Sequence, residues 1–397
     1  MRENSIIVFT KDSPALQGSG KTMRMMNWLA HLSLKYDRVY CVYFYSKGSF
    51  RGLKDQLPKN IDFLPIHLES AGRFKSYYRR VIAGIFWPKE YNFFWYETIK
   101  KEDEQTIREL IKKVDAILIY RLYLYPVLEK IASFTSQIKN NAIDMDDAES
   151  TTFEAIGRAQ WRRRTYKNWF ITTIVGYSMK YYEKHLPPGL TTLYYAHPDD
   201  VHKYQLSYPN KTIKHFVNRV PYEDWREEKN ITNNVLFAGT LNYYPNEEAI
   251  QLLVKDIWPQ IVMQKKEATL TIAGGKPSLV MRKLIAASAS ITLIEDPVSI
   301  NEIFQNAAIL IVPLNIGGGT RIKILQAFSY GIPVVTTPIG VSGIEMSHNM
   351  TGMIADSVTD MVTSCLDLLN NESSRKRIAQ NAYAYFIENH SFKTPKA

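Results

Sequence analysis

The sequence has only two cysteines, no long apolar run and a shortage of acidic residues. Cys41 and Cys365 could form at most one disulfide, which excludes a disulfide-stapled scaffold and fits a reducing compartment. No stretch approaches the ~20 apolar residues that a membrane-spanning helix needs. The first apolar run is interrupted by Lys11 and Asp12, too early for a signal peptide. We therefore expect a cytoplasmic protein, either free or bound at the inner face of a membrane.

The composition is that of a globular protein with an excess of positive charge. The chain has 397 residues, of which 45% are hydrophobic and 22% charged, enough for two or three packed domains. Disordered, collagen-like and coiled-coil proteins are excluded. Lysine and arginine number 49 against 39 aspartates and glutamates, a net charge of +10. This excess favours anionic partners: nucleic acid, phosphorylated small molecules or an acidic membrane surface.

In the second half of the chain, strand-length apolar runs alternate with helical patterns. Continuous apolar strands between helices predict a parallel sheet covered on both faces. Gly239, Gly274 and Gly317 follow three of these strands, at the edge where ligands bind in such folds. The expected strands are 234–238, 268–273, 291–294, 308–313 and 333–336, with helices at 246–264 and 299–306.

The first half repeats this plan, so we predict an α/β protein of two doubly wound domains that face a central cleft. The expected strands are 6–10, 39–44, 61–66, 116–120, 142–145, 192–195 and 213–217, and the expected helices are 22–34, 74–86, 102–113, 124–133 and 149–183. The predicted parts are an N-terminal domain (1–218), a polar linker (219–233), a C-terminal domain (234–375) and a final helix (376–397) that would pack back on the N-terminal domain.

The segment 312–335, VPLNIGGGTRIKILQAFSYGIPVV, carries the strongest chemical signal. A buried strand is followed by three glycines, then by Thr320 in position to cap a helix. Consecutive glycines allow backbone N–H groups to approach a ligand, and a helix N-terminus favours an anion. Arg321 and Lys323 lie in the first helical turn, where cations are unfavourable unless an anion is near. The pattern predicts a seat for a diphosphate, against the alternative of a tight turn before a solvated basic helix.

This segment resembles the retaining GT-B glycosyltransferases of the group 1, or family 4, set, in the branch that carries GGGTR. The resemblance extends in order from VLFAGTLNYYPNEEAIQLLVKDIWPQI through LTIAGGKPS to PIGVSGI, and covers 234 to about 356. It implies two Rossmann-like domains and transfer of a sugar, with retention, from a nucleotide-diphospho-sugar to a hydroxyl. No cofactor and no obligatory metal are implied.

The resemblance also assigns roles to individual residues. Arg321 and Lys323 would neutralise the departing nucleotide diphosphate, and the base would lie near 274–277 and 296–298. Many relatives hold the ribose with a glutamate at the position of Gln326, and an amide bonds a hydroxyl more weakly than a carboxylate does. This departure keeps open a non-catalytic paralogue that acts as a binding subunit. The expected donor-binding residues are Gly239, Gly274, Gly317, Gly318, Gly319, Thr320 and Gln326.

The segment SPALQGSGKTMRMMNWLAHL after the first strand has two interpretations. It loosely matches a phosphate-binding loop of ATPases through Gly20, Lys21 and Thr22. However, Ala15 replaces the first glycine, and no strand ending in a partner aspartate follows. The family resemblance instead implies a glycine-rich turn with Gly18 and Gly20, followed by a helix whose Arg24 faces the cleft. The NTPase and a plain turn remain as alternatives.

An acidic cluster ends the strand predicted at 142–145. The stretch NAIDMDDAES could cap the following helix, through Asp147 or Ser150, or bind a metal. The resemblance implies that Asp144 and Asp147 line the acceptor side of the cleft. Arg121 follows the neighbouring strand and would bind donor or acceptor phosphate, unless it is a surface arginine. The histidines show no ligand spacing, so we expect no zinc site.

Two basic aromatic segments bear on location. Within 73–101, apolar residues between Phe74 and Phe86 fall on one helical face, with basic residues on the others. Such a helix binds an anionic membrane surface or packs on a core, and both readings stay open. The run WRRRTYKNWF favours the membrane. No nucleic-acid-reading module is present, so the expected partners are a nucleotide sugar and a glycan or lipid-linked acceptor, in polysaccharide or glycolipid assembly.

Overall fold

The computed structural model describes residues 4–14, 20–45, 57–70, 97–125, 128, 140–222, 233–297, 299–317 and 319–392. The chain divides into two compact units, the first formed by 1–16, 21–217 and 395–397 and the second by 17–20 and 218–394. We call them the N-terminal and the C-terminal unit. Each is an α/β structure built on a parallel sheet, so the predicted fold class is confirmed.

The N-terminal unit contains a seven-stranded sheet in the order β3-β2-β1-β6-β7-β8-β9. All six neighbouring pairs are parallel. A small antiparallel pair, β4 with β5, lies outside it. The strands are β1 (Ser5–Thr10), β2 (Arg38–Tyr45), β3 (Ile61–His67), β4 (Glu69–Ser70), β5 (Glu97–Thr98), β6 (Ala116–Tyr120), β7 (Asn140–Asp146), β8 (Thr192–Tyr195) and β9 (Thr212–His215).

Both faces of this sheet are covered. Successive residues of β1 enter different cores: Ile7 and Phe9 belong to one apolar cluster, Ile6 and Val8 to another. Because side chains alternate across a strand, a strand buried on both faces has a continuous apolar sequence, as the sequence indicated. The helices are α1 (Gly20–Lys35), α2 (Lys101–Ile111), α3 (Glu149–Arg162), α4 (Tyr166–Lys184) and α5 (Pro198–Ser207).

The single long helix predicted at 149–183 is wrong, because the chain reverses within it. Arg164 has a left-handed φ of 58°, which ends the helical path. The N–H of Thr165 bonds back to the carbonyl of Gln160 at 3.0 Å and closes the turn. The result is an antiparallel hairpin of α3 and α4 with its tip at 162–166.

The C-terminal unit contains a six-stranded parallel sheet in the order β13-β12-β11-β14-β15-β16. Its first five strands in chain order lie where the apolar runs predict them, within one or two residues at each end. A separate parallel pair joins β10 to β17. The strands are β10 (Val220–Pro221), β11 (Asn234–Ala238), β12 (Thr269–Gly274), β13 (Ile291–Glu295), β14 (Ile309–Val312), β15 (Val334–Thr336), β16 (Met353–Ile354) and β17 (Ser391–Phe392).

Its helices are α6 (Tyr244–Leu252), α7 (Trp258–Gln264), α8 (Leu279–Ala286), α9 (Asn301–Gln305), α10 (Ile322–Ser329), α11 (Val358–Asn370) and α12 (Glu372–His390). The helix predicted at 246–264 contains a wide π turn, Leu253–Ile257, between α6 and α7. Pro259, in the first turn of α7, has no N–H to continue an α-helical ladder, so the hydrogen-bonding register changes there.

Several predicted features lie outside the described residues: the helix at 74–86, most of the helix at 124–133 and the linker residues 223–232. The packing of the last helix on the N-terminal domain stays a prediction; α12 contacts α10 and α11 of its own unit. Cys41 and Cys365 are free and buried. Within the described part of the chain, no helix has the length and apolar character needed to cross a membrane.

Candidate active site

The glycine loops of the C-terminal unit meet where its strand order reverses. β11 pairs with β12 on one side and with β14 on the other. The chain continues from β11 to β12 and from β14 to β15, so it leaves β11 and β14 in opposite directions along the sheet. Parallel sheets bind ligands outside the carboxyl ends of such a strand pair. Gly239 follows β11 directly, and the glycine-rich loop that starts at Gly317 follows β14.

The loops after β11 and β12 lie in backbone contact. The Gly239 N–H donates to the carbonyl of Ala273 at 3.0 Å, and Leu241 N–H donates to that of Gly275 at 2.9 Å. A Cβ on Gly274 would lie 1.7 Å from the Gly239 carbonyl oxygen, and Gly274 has a φ of 155°. Only glycine fits there. This contact fixes the position of the Gly239 turn at the rim of the site.

We expect Gly274→Ala to destabilise the C-terminal unit by about 3 kcal/mol, because two backbone segments must separate to admit the methyl group. Gly275→Ala is the matched control. A Cβ there would meet only the exposed carboxylate of Asp296, at 2.8 Å, which can swing away. Urea unfolding of both variants would measure the difference, and equal losses would contradict the proposed backbone contact.

The ammonium group of Lys323, the second residue of α10, lies at this rim of the site. Its Nζ donates to Asn246 Oδ1 at 3.0 Å and lies 4.6 Å from the centroid of the Phe237 ring. A Cβ on Gly239 would be only 2.8 Å from the same Nζ, so the ammonium lies against the glycine backbone. The Asn246 amide is held in turn by the carbonyl of Thr240, at 2.8 Å. Burial and the nearby Arg321 charge lower the pKa of Lys323 to about 7.

Arg321 lies beside the second glycine loop. A Cβ on Gly317 would be 2.7 Å from its Nη2, so the guanidinium covers the turn at that glycine, whose φ is 129°. Gly319 also has a left-handed φ, of 72°. Gly318 lies outside the described residues. Two cations therefore lie near one another on a glycine-built surface, with Arg321 lowering the pKa of Lys323.

The prediction that Thr320 caps α10 is wrong. The helix begins at Ile322, and Arg321 is its N-cap residue, without a side-chain cap bond. The left-handed turn at Gly319 carries the chain past Thr320, whose carbonyl instead accepts from the Ile322 N–H at 3.1 Å. Thr320 thus belongs to the loop. Gln326 lies one turn further along α10 and is buried.

Hydrogen bonds from β15 and the segment after it hold the start of the glycine loop, a contact that the sequence analysis did not predict. Thr336 Oγ1 donates to the Val312 carbonyl at 3.0 Å, and Thr337 Oγ1 donates to that of Leu314. The N–H of Gly340 donates to Thr337 Oγ1 at 2.9 Å. The segment after β15 therefore anchors the end of β14, from which the glycine loop starts. The two threonines of the sequence TTPIG could have indicated this contact, because hydroxyls beside a strand end can bond loop carbonyls.

In the N-terminal unit, Arg24 and Asp144 form a buried ion pair. Arg24 Nε and Nη2 donate to the Asp144 carboxylate at 2.7 and 2.6 Å, and Trp28 Nε1 adds a third bond at 2.8 Å. Both charged side chains are about 1% exposed or less. Helix α1 is buried around most of its circumference and turns Arg24 into the core, and the place of both residues beside a cleft stays a prediction.

Arg121 and a second carboxylate group lie at the carboxyl edge of the same sheet. Arg121 Nη1 contacts Glu149 at 3.0 Å and Asp147 at 3.6 Å, and Nη2 contacts Asp146. Arg121 is therefore buried in an ion network and is not a surface arginine. Burial and the adjacent Asp146 raise the pKa of Asp147 to about 6. Asp147 is the partly exposed carboxylate of this edge whose protonation changes near neutral pH.

Of the alternatives for this acidic stretch, capping of α3 by Asp147 or Ser150 is wrong. The helix begins at Glu149 after Ala148, without a side-chain cap from either residue. Instead, the Glu183 carboxylate accepts from the N–H and the hydroxyl of Ser150, so a negative charge from α4 occupies the positive end of α3. Among described residues, no group of three acidic, histidine or cysteine side chains is placed to hold a metal. Gly20 begins α1, and Gly18 lies outside the described residues.

Comparison with known proteins agrees with this geometry. Residues 232–371 match the sequence model of the family "Glycosyl transferases group 1". The crystal structure of TarM superposes with a TM-score of 0.71 at 11% identity, covering 98% of this chain and 96% of TarM. Residues 232–371 thus resemble a group 1 glycosyltransferase domain, and the fold of the chain is similar to that of the GT-B enzymes.

Two further solved structures and one curated relative are also similar to this chain. WaaG, a glycosyltransferase involved in lipopolysaccharide biosynthesis, matches with a TM-score of 0.59 at 14% identity, over 96% of this chain and 95% of WaaG. Anabaena HepE, solved with UDP and glucose, matches at 0.63 and 12%, over 98% and 96%. A 44.6 kDa protein in the cps region of Klebsiella pneumoniae is 23% identical over 340 residues, 80% of this chain and 84% of the relative.

Proposed function

We propose that this protein is a glycosyltransferase that moves a sugar, with retention, from a nucleotide-diphospho-sugar to a hydroxyl of a glycan or lipid-linked acceptor in cell-envelope polysaccharide assembly. The observation that carries the proposal is the pair Arg321 and Lys323 on the glycine surface between β11 and β14. Lys323 donates to Asn246, burial and the Arg321 charge lower the pKa of its ammonium to about 7, and the Arg321 guanidinium lies against Gly317. A diphosphate of the donor fits that charge and that backbone. UDP in the HepE structure supports a uridine nucleotide.

In the proposed reaction, the bond between the sugar anomeric carbon and the phosphate oxygen breaks, and a nucleoside diphosphate leaves. Negative charge grows on the leaving oxygens as the acceptor hydroxyl oxygen bonds to the sugar, and the proton of that hydroxyl passes to a leaving phosphate oxygen. Arg321 and Lys323 are already in place to stabilise that charge, which requires no reorganisation during the reaction. We expect no metal requirement, because these cations supply the positive charge. The N–H groups of the glycine loop, 317–320, add donors for the phosphate and sugar.

Donor binding should depend on pH through Lys323. A nucleotide sugar carries no titrating phosphate near neutrality, whereas Lys323 loses its charge above about pH 7. The dissociation constant of the nucleotide sugar should therefore rise by close to tenfold per pH unit above pH 7, and the protein should take up a proton on binding. Lys323→Arg stays charged throughout and should flatten the profile. Calorimetry in two buffers would measure both quantities; a flat wild-type profile between about pH 6 and about pH 9 would contradict the role of Lys323.

The acceptor is proposed to bind at the carboxyl edge of the N-terminal sheet, near Asp147. Its partly exposed carboxylate can accept a hydrogen bond from a sugar hydroxyl. We expect Asp147→Asn to raise the KM for the acceptor about tenfold, because a charge-assisted bond becomes a neutral one. Donor hydrolysis in the absence of acceptor should be unchanged. A matched loss of donor hydrolysis would place Asp147 outside the acceptor site.

The alternative of a non-catalytic paralogue rests on Gln326. It predicts that the purified protein binds a nucleotide sugar but neither hydrolyses nor transfers it. Sugar-nucleotide hydrolysis by the wild type, lost in Arg321→Ala and Lys323→Ala, would exclude it. The NTPase alternative requires ATP turnover that disappears in Lys21→Ala. A location at the inner membrane face, through 73–101, is also proposed, although most of that segment lies outside the described residues.

A further inference from the structure

The hairpin of α3 and α4 ends in an exposed tip of unusual chemistry. Every residue from Trp161 to Asn168 is exposed. Between Glu154 and Glu183 the sequence contains no acidic residue, but it contains six basic ones: Arg158, Arg162, Arg163, Arg164, Lys167 and Lys180. Lys180, near the base of the hairpin, is paired with Glu154 at 2.9 Å. The other five lie toward the tip.

Aromatic side chains accompany these cations. Trp161 is 53% exposed, Tyr166 52%, Phe170 42% and Tyr177 57%. Tyr166, Phe170 and Tyr177 are spaced i, i+4 and i+11, so they form one stripe along the solvent face of α4. The buried residues of α4 begin only at Ile174. The distal half of the hairpin therefore packs on itself, with its aromatic rings in water.

We propose that this hairpin tip binds the surface of an anionic lipid bilayer. Arginine and lysine are attracted to acidic headgroups, and tryptophan, tyrosine and phenylalanine partition to the headgroup boundary. A soluble polyanion would engage the cations but would give no reason for an exposed Phe170. The turn at Arg164 places both helices' basic ends at the same point.

The position of the hairpin suits a membrane-bound acceptor. α3 begins directly after β7, at the sheet edge that holds Arg121 and Asp147. Its 14 residues span roughly 21 Å at 1.5 Å per residue. A bilayer at the tip would thus lie within the reach of an extended lipid-linked glycan that ends at the acidic cluster.

Flotation of the full chain with vesicles tests the proposal. The wild type should bind phosphatidylcholine vesicles that contain phosphatidylglycerol, and not phosphatidylcholine alone, and salt should release it. Arg162→Gln, Arg164→Gln and Lys167→Gln together should lower the apparent affinity roughly a hundredfold. The control combines Lys255→Gln, Lys266→Gln and Lys283→Gln, exposed lysines of the C-terminal unit. It removes the same charge and should keep wild-type binding.

Phe170→Gln separates a bilayer from a soluble polyanion. It should weaken vesicle binding several-fold while leaving elution from a heparin column unchanged. Circular dichroism and melting temperature verify that each variant is folded. Equal losses in the two triple variants, or no preference of the wild type for phosphatidylglycerol, would overturn the proposal. Wild-type vesicle binding by Phe170→Gln, with the tip variant weakened on heparin, would assign the tip to a polyanion instead.

Discussion

Replacing Lys323 by methionine should lower the rate of sugar transfer about 10²–10³-fold and at the same time stabilise the fold by about 1–2 kcal/mol. The two effects have the same origin. Lys323 is held among Asn246, Phe237 and Gly239, where burial lowers its pKa to about 7. The unliganded protein therefore carries an unfavourable buried ammonium. We propose that the donor diphosphate offsets this destabilisation when it binds.

The sign of the stability effect can be checked against pH. The pKa of Lys323 is about 7 in the folded chain and ~10.4 when unfolded, so the unfolded chain binds more protons between these values. The wild-type free energy of unfolding should rise with pH over this window relative to Lys323→Met. Below pH 7 the destabilisation by Lys323 is fully present.

Denaturant unfolding at several pH values and a transfer or donor-hydrolysis assay measure the two effects. Lys283→Met is the control, because Lys283 is exposed on α8 and should leave both rate and stability within about 0.5 kcal/mol of the wild type. A Lys323→Met variant that loses stability and keeps its activity would show that this lysine has a structural role.

Asp144→Ala should destabilise the chain by about 3–5 kcal/mol, because it leaves the Arg24 guanidinium charged in the core. Asp144 receives two bonds from Arg24 and one from Trp28, and both charged side chains are buried from solvent. The remaining carboxylate near Arg24 is that of Asp146, at 3.2 Å. The combination Asp144→Leu with Arg24→Met should recover part of the loss, since it removes both charges.

The control is an ion pair of the same type and length on the surface. Arg38 Nε and Asp62 Oδ2 also lie 2.6 Å apart, with side chains 46% and 44% exposed. Asp62→Ala should cost about 0–1 kcal/mol, because water solvates the arginine left behind. Urea unfolding of the two aspartate variants gives the comparison directly. Losses of similar size would indicate that burial does not set the value of the Arg24–Asp144 pair.

The sequence predicts the sheets well because apolar runs such as 234–238 and 116–120 are buried on both faces, which leaves a local signal. The glycines and cations of 317–323 can also be predicted from the sequence as parts of one site, because they lie in one contiguous segment. Asn246 was missed. Its contact with Lys323 depends on the adjacency of β11 and β14, which no local pattern encodes.

Burial of charge was the other feature that the sequence could not predict. Arg24 follows Lys21 in a helix start rich in polar residues, and its partner Asp144 lies 120 positions away. The break at Arg164 was missed for a related reason: a non-glycine residue adopts the left-handed turn, so the usual stop signal is absent. In both cases tertiary contacts override what the local residue types favour.

We propose that the glycine surface between β11 and β14, with Arg321 and Lys323, binds the donor diphosphate. A crystal structure with the nucleoside diphosphate that most raises the melting temperature tests it most directly. We expect phosphate oxygens within hydrogen-bond distance of Lys323 Nζ and the Arg321 guanidinium, with the Gly317 loop closed on the phosphates. A nucleotide bound elsewhere, with Lys323 Nζ still bonded only to Asn246, would contradict it.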